Sequence, residues 1–169
     1  MGCSVQTLLI IIDAQNIKNT DSAEHKGYDS GKKISGTKRH LAVGINGLPQ
    51  AIHIITADVS ERDGASALLT LNSERFELVQ RVMADGGYTG KKFASIVQST
   101  INAEVIIAKQ SDLKHGIITL QGWVIERLFS WLDKCRRLWR NCERQLNTNR
   151  IMVAMAFIDC YCVDFRDSK

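Results

Sequence analysis

Two aspartates stand directly after apolar runs that have the character of buried strands. Leu8 to Ile12 is a continuous run of apolar residues leading into Asp13, and Val79 to Ala84 leads into Asp85. If the two strands are neighbours in a sheet, the carboxylates meet at its edge, and a cation is needed to keep both ionised. Mg²⁺ suits such a pair because it is commonly bound through one or two carboxylates, with phosphate completing its shell.

The chemistry that such a site offers is phosphodiester cleavage and transfer. Two divalent ions about 3.5–4 Å apart can activate an attacking oxygen and stabilise the leaving one. Asp13 and Asp85 are also consistent with simple turn capping, since aspartate is favoured where strands end. A third acidic residue, Glu126, falls on the polar stripe of a helical segment, where a solvated role is usual. The residues alone leave both interpretations open.

Hydrophobic patterning predicts five strands that would position these groups. The Asn46-Gly47 dipeptide between the apolar runs 40–45 and 48–57 predicts a hairpin. Further strands are predicted at 8–12, 79–84 and 103–108, alternating with helices, while the polar, glycine-containing residues 19–38 are predicted to form a long loop or irregular hairpin. A hairpin followed by alternating strands and helices favours a mixed α/β sheet covered by helices.

Four helices are expected from helical spacing and composition. The first begins near Ala65, the second at Lys91, and the third runs from Trp123 to about Arg144. A fourth helix follows at the end of the chain. The final helix is predicted to seal the core through four residues that lie one above another. These residues are Ile151, Met155, Ile158 and Cys162.

Positive charge is concentrated in two segments of this 169-residue chain, whose 44% hydrophobic content and length favour a single domain. Five Lys or Arg lie between Lys26 and His40, and six lie between Lys134 and Arg150. Such segments can bind a polyanion by releasing its counterions, although a solvated surface has the same composition.

The five cysteines lack the C-x-x-C spacing of a zinc site. Their odd number favours reduced thiols in a cytoplasmic protein, with Cys135 and Cys142 packed as small apolar residues. The apolar run 8–12 is too short to cross a bilayer, so no membrane role is expected.

Several motifs, found in order along nearly the whole chain, resemble those of the DDE transposases of small bacterial insertion sequences. The resemblance implies a ribonuclease-H-like fold and makes Asp13, Asp85 and Glu126 the ligands of Mg²⁺ or Mn²⁺, with two ions expected. The matching segments are residues 12–18 (IDAQNIK), 27–33 (GYDSGKK), 36–40 (GTKRH), 57–65 (ADVSERDGA), 84–90 (ADGGYTG) and 123–132 (WVIERLFSWL).

The same resemblance implies a reaction and its partners. Water would attack the phosphodiester at an element end, and the freed 3′-hydroxyl would then attack target DNA. The implied partners are double-stranded DNA at element ends and target, and further copies of the chain assembled on it. Candidates for phosphate contacts, which position DNA without reading its sequence, are Lys32, Lys33, Lys38, Arg39, Lys134, Arg136 and Arg137.

Two departures from the family pattern bear on activity. Relatives usually begin with a helix-turn-helix region, so residues 1–169 are expected to be a catalytic domain, and an upstream reading frame is one source for the remainder. Relatives also often carry an arginine four residues before the glutamate and a base seven after it, where this chain has Gly122 and Asp133. An inactive remnant that binds DNA or oligomerises is therefore the alternative function.

Overall fold

One mixed sheet of six strands organises the chain. The structure, a computed structural model, describes residues 7–108 and 117–167, with side chains described for 7–108 and 123–159. The strand order is β2-β3-β1-β5-β6, and β4 also pairs with β3. The strands are β1 (Leu9–Lys18), β2 (Gly27–Asp29), β3 (Ile34–Gly44), β4 (Pro49–Thr56), β5 (Arg81–Ala84) and β6 (Glu104–Ile107). The helices are α1 (Glu61–Leu71), α2 (Lys91–Ile101), α3 (Ile117–Lys134) and α4 (Leu146–Asp167), with 3₁₀ turns at Ser73–Phe76 and Gly86–Tyr88.

The predicted mixed sheet is confirmed, with one more strand than expected. β3 runs antiparallel to β1, β2 and β4, whereas β1, β5 and β6 are mutually parallel neighbours. β2 and the start of β3 form an antiparallel hairpin within residues 19–38, the segment predicted to be a long loop or an irregular hairpin. Gly36 lets the start of β3 pair closely with β1, because a Cβ at residue 36 would collide with the carbonyl oxygen of Ile17 on β1.

Each face of the sheet carries its own apolar core. Because side chains alternate along a strand, Ile10 and Ile12 face α1 and α2, while Ile11 faces α3 and α4. β5 repeats the pattern, with Val82 and Ala84 in the first core and Met83 in the second. Burial on both faces explains why β1 begins as an unbroken apolar run.

Helix α3 ends at Lys134, ten residues before the predicted end near Arg144. The chain beyond it turns back to the end of β1, where the Asn141 N–H donates to Lys18 O at 2.9 Å and its carbonyl accepts from Thr20 N at 2.9 Å. The prediction was wrong here because these tertiary hydrogen bonds, invisible to helical periodicity, hold the segment in another conformation.

Helix α4 buries a different face from the one predicted. Ile151, Met155 and Ile158 are 45%, 56% and 64% exposed, whereas Val153 and Phe157 are buried. Apolar residues surround most of this helix, so periodicity does not select a face. Asn149 selects it: its fully buried amide donates to Asn141 Oδ1 at 2.8 Å and turns the residues one and two turns later inward. Cys162 lies outside the described side chains.

The cysteines near the end of α3 also differ from expectation. Cys135 is exposed and Cys142 is half-buried, so the prediction that both pack as apolar residues was wrong for Cys135. Within the described ranges, no helix has the length and apolar character needed to span a membrane.

Candidate active site

The structure brings Asp13 and Asp85 together at one edge of the sheet. β1 and β5 are adjacent and parallel, with Leu9 opposite Arg81 and Ile11 opposite Met83. The same offset carried two residues further sets Asp13 opposite Asp85, one strand spacing of about 4.8 Å away. The sequence left the adjacency of these two strands open, and the structure shows that they are neighbours.

Each aspartate uses one carboxylate oxygen to fix its own loop. Asp13 Oδ1 accepts from the Ala14 N–H at 2.7 Å. Asp85 caps the 3₁₀ turn that follows β5, since its Oδ1 accepts from the Gly87 N–H at 2.9 Å. The second oxygen of each carboxylate has no hydrogen bond to any residue that the structure describes. Both oxygens are therefore available to a ligand.

The surroundings of Asp13 disfavour its ionised form. Burial raises the pKa of Asp13 to about 6, and the negative charges of Asp85 and Glu61 add to this effect. The Ala14 hydrogen bond and the positive charge of Lys32 lower the same pKa and offset only part of the rise. A carboxylate crowded in this way favours a bound cation.

Glu61 is an acidic residue at this site that the sequence reading did not single out. It occupies the first turn of α1, fixed there because the Ser60 side chain caps the helix by accepting from Asp63 N at 3.1 Å. A Cβ built on Gly87 would lie 3.1 Å from Glu61 Oε2 and 3.0 Å from Asp85 Oδ1, so both carboxylates border the same small space. The Ser60 to Asp63 capping pattern was the available signal, but the helix was predicted to begin near Ala65.

Lys32 lies beside these carboxylates, as one of the predicted basic residues. Its Nζ donates to Glu61 Oε1 at 2.6 Å. The loop that carries it is fixed by Asp29, whose Oδ1 accepts from the N–H groups of Gly31 and Lys32, each at 3.0 Å. The Lys32 N–H bond, with side-chain bonds from Asn16 on β1 and from Lys38, holds the pKa of Asp29 well below its usual range.

Two of the predicted DNA-binding residues lie inside the protein. Lys38 is 4% exposed, pairs with Asp29 Oδ2 at 3.0 Å and donates to Val59 O at 2.6 Å. Arg39 is fully buried. The prediction of surface phosphate contacts does not fit these two side chains, because strand β3 directs them into packed surroundings. Lys33, Lys134, Arg136 and Arg137 are exposed as expected, and Arg137 pairs with Glu143 at 2.9 Å.

Glu126 is exposed on α3, beside the buried Ile125 and Leu128. Asp133 follows it by seven residues, which is two turns or about 10 Å along the same side of the helix. Within the described residues, no hydrogen bond or charge interaction joins Glu126 to Asp13 or Asp85. The structure thus brings together two of the three predicted carboxylates, and no described contact joins the third to them.

Asp133, a departure from the family pattern, has a structural role. Both of its carboxylate oxygens accept from Gln15 Nε2 at 2.9 Å. Since Gln15 lies two residues beyond Asp13, this contact attaches the end of α3 to β1 next to the site.

The donor chemistry fits a divalent metal, although only in part. Asp13 and Asp85 interact electrostatically and each has one oxygen without a described hydrogen bond, which matches Mg²⁺ or Mn²⁺ held by two carboxylates with water or phosphate completing the shell. In residues 7–108 and 117–167, no group of three or more His, Cys, Asp or Glu has a metal-holding arrangement. A third protein ligand would have to move in.

Solved structures with the same fold define the architectural class. The catalytic core of BIV integrase matches with a TM-score of 0.55 and 12% identity, covering 90% of this chain and 82% of that one. A chain of the simian T-cell lymphotropic virus intasome, solved with a regulatory subunit of PP2A, matches with a TM-score of 0.54 and 13% identity, over 88% of this chain and 46% of that one. The fold is ribonuclease-H-like, as predicted.

The family model described as "Transposase DDE domain" matches residues 5–159, so the chain belongs to this family. A protein assigned as the transposase of insertion sequence element IS402 in Burkholderia cepacia is 26% identical over 117 residues, covering 65% of this chain. The chain spans about half of that relative's length, 55%. The family resemblance read from the sequence is confirmed.

Proposed function

We propose that this chain is the catalytic part of a DNA transposase that cleaves and joins DNA at the ends of an insertion sequence. The observation that carries the proposal is the pairing of Asp13 with Asp85 at the ends of adjacent parallel strands, in a chain of the DDE transposase family. The share of the relative that the chain spans supports reading residues 1–169 as one domain of a longer transposase.

Asp13, Asp85 and Glu126 would hold one or two Mg²⁺ or Mn²⁺ ions, which when bound would activate the attacking oxygen and stabilise the leaving one. Asp13 and Asp85 each offer the oxygen that their backbone hydrogen bonds leave free. Glu126 would join them by movement of the first part of α3, whose end the Gln15 to Asp133 contact holds against β1.

Exposed basic side chains would hold the DNA backbone near this edge. Lys33 lies on the loop next to the carboxylates, Lys134 is the last residue of α3, and Arg136 and Arg137 follow it. Phosphate contacts of this kind set the position of the duplex and carry no sequence information. We propose that two DNA ends and a target duplex are bound by an assembly of several copies of the chain.

The test uses labelled duplexes that carry the two ends of the DNA element encoding the chain, incubated with the purified full chain and Mn²⁺ or Mg²⁺. We expect strand cleavage at the element end, followed by joining to a second duplex. Asp85→Asn should lower the cleavage rate by more than about 100-fold, since even outer-shell partners of a metal site contribute 10–100-fold.

Asp21→Asn is the matched control, because it makes the same chemical change at an exposed residue in the turn after β1, and it should cleave at the wild-type rate. Equal cleavage by Asp85→Asn would overturn the proposed site. DNA binding without cleavage, even when the product of an upstream reading frame is supplied, would instead support the inactive remnant.

A further inference from the structure

The pair formed by Lys32 and Glu61 sits next to the two aspartates and has no place in the proposed metal site. We propose that Glu61 is an additional metal ligand, and that Lys32 is an internal cation that occupies Glu61 until the metal binds. This inference rests on the proposed function, because it concerns the same carboxylate cluster.

The positions of the carboxylate oxygens support the first half of the proposal. Glu61 Oε2 and Asp85 Oδ1 lie 3.1 and 3.0 Å from the position that a Cβ of residue 87 would occupy, so the glycine leaves a small space between them. Glu61 Oε1 binds Lys32, while Oε2 has no hydrogen bond to a described residue. Glu61 would share a cation with Asp85 by exchanging its partner and by a movement of its side chain, because no three acidic groups of the described residues are already arranged to hold a metal.

Tyr88 gives an independent indication that this space has an occupant. Its side chain is 1% exposed, and its hydroxyl has no hydrogen-bond partner in the described part of the chain. The charges of Asp13, Glu61 and Asp85 all act on that hydroxyl, so it lies beside the cluster. A buried hydroxyl is normally hydrogen-bonded, and the water shell of a cation between these carboxylates would supply the missing partner.

Lys32 has the exposure that an exchange requires. Its side chain is 49% exposed and extends from a surface loop, while that of Glu61 is 24% exposed. Asp29 fixes the backbone of this loop through Gly31 and Lys32, so the ammonium group can move while its attachment point stays in place. A divalent ion compensates more carboxylate charge than one ammonium, and the released Lys32 would be free to contact a DNA phosphate.

Calorimetric titration of the full chain with Mn²⁺, without DNA, tests both halves. Glu61→Gln should weaken Mn²⁺ binding about 10-fold or more, as loss of a ligand requires. Lys32→Met should strengthen it, because it removes the competing cation. Misfolding cannot produce this second result, since a damaged site would only lose affinity. The controls Glu74→Gln and Lys18→Met alter exposed residues of the same types and should leave Mn²⁺ affinity unchanged.

Wild-type affinity in Glu61→Gln, or weaker binding in Lys32→Met, would overturn this inference. The proposed function has a separate criterion in the same titration: Asp13→Asn and Asp85→Asn must each lose Mn²⁺ binding. If they lose it while Glu61→Gln keeps it, the metal site stands and the role of Glu61 fails. If none of the three variants loses binding, the proposed site itself is wrong.

Discussion

Asp13 on β1 and Arg39 on β3 are opposite charges on neighbouring strands, and folding places them in very different surroundings. Gln15 is opposite Arg39 in the β1–β3 register, so Asp13, Gln15 and Arg39 share one face of the sheet. Asp13 is half-buried beside other carboxylates at an open edge. Arg39 is fully buried, and none of its three guanidinium nitrogens has a hydrogen-bond partner within the described residues.

The two residues differ in whether a ligand can reach them: a bound cation can stabilise the charge of Asp13, but no ligand can reach the buried Arg39. Burial raises the pKa of Asp13 to about 6 and lowers the pKa of Arg39 to about 10, so folding disfavours the charged form of both. The charge of Asp133 acts against the change at Arg39 but makes no hydrogen bond to it. A metal ion at the sheet edge would stabilise the charged form of Asp13, whereas the charge of Arg39 is offset only in part, by Asp133.

The largest expected effect is at Arg39. Arg39→Met keeps most of the side-chain volume and removes the buried charge, so it should raise the free energy of unfolding by about 3 kcal/mol at pH 7.5. This pH lies below both the folded and the unfolded pKa of the arginine, where the full cost of its charge applies. Urea unfolding followed by circular dichroism measures the change.

Arg81→Met, at the exposed start of β5, is the control and should change stability by no more than about 0.5 kcal/mol. If Arg39→Met instead destabilises the protein, the guanidinium has a partner in solution. The contrast with Asp13 would then disappear.

The second effect is the pH dependence contributed by Asp13. Without metal, Asp13→Asn should raise the free energy of unfolding by about 2 kcal/mol at pH 7.5 and by almost nothing at pH 4. Because the folded pKa is raised, the folded state binds more protons between the ordinary value, 3.8, and about 6, and wild-type stability falls as the pH rises through this interval. Thermal unfolding in EDTA at both pH values measures the difference.

Mn²⁺ should then stabilise the wild-type protein at pH 7.5 and leave Asp13→Asn unchanged. Asp21→Asn should show neither effect. An equal gain from Asp13→Asn at pH 4 and at pH 7.5 would show that the ionised carboxylate is not the destabilising group.

The sequence was sufficient to predict the mixed sheet and the two strands that end at Asp13 and Asp85, but it left open whether those strands are neighbours. Both predictions rest on local patterns, namely apolar runs that end in aspartate, and these patterns fix which strands are buried and where they stop. It was not sufficient to predict that Lys38 and Arg39 point inward. Both belong to a basic segment, and only the pairing of β3 with strands on both sides determines which of its charges are enclosed.

The parts of the site missed from the sequence depend on contacts between distant segments. Glu61 reaches Asp85 because α1 packs on the sheet, and Asp133 reaches Gln15 across 118 positions of sequence. Likewise, Val153 and Phe157 of α4 are buried because they pack with β1 and β3 residues such as Ile11 and Leu41. Spacing along the chain carries no information on such pairs.

The smallest expected effect is at Tyr88. It tests whether this buried hydroxyl behaves like Arg39, which has no access to a ligand, or like Asp13, which a metal ion would stabilise. In the metal-free protein its hydroxyl resembles Arg39 in lacking a partner, so Tyr88→Phe should raise the free energy of unfolding by about 1 kcal/mol while keeping the ring contact with Phe93 at 5.4 Å. With Mn²⁺ present it should resemble Asp13, and the variant should gain less stability from the metal than the wild-type protein does. Chemical unfolding with and without Mn²⁺ measures both, with Tyr28→Phe, 58% exposed, as the unaffected control. A variant that is less stable without metal would mean that the hydroxyl is already bonded in the free protein, and Tyr88 would then belong with the structural core and not with the site.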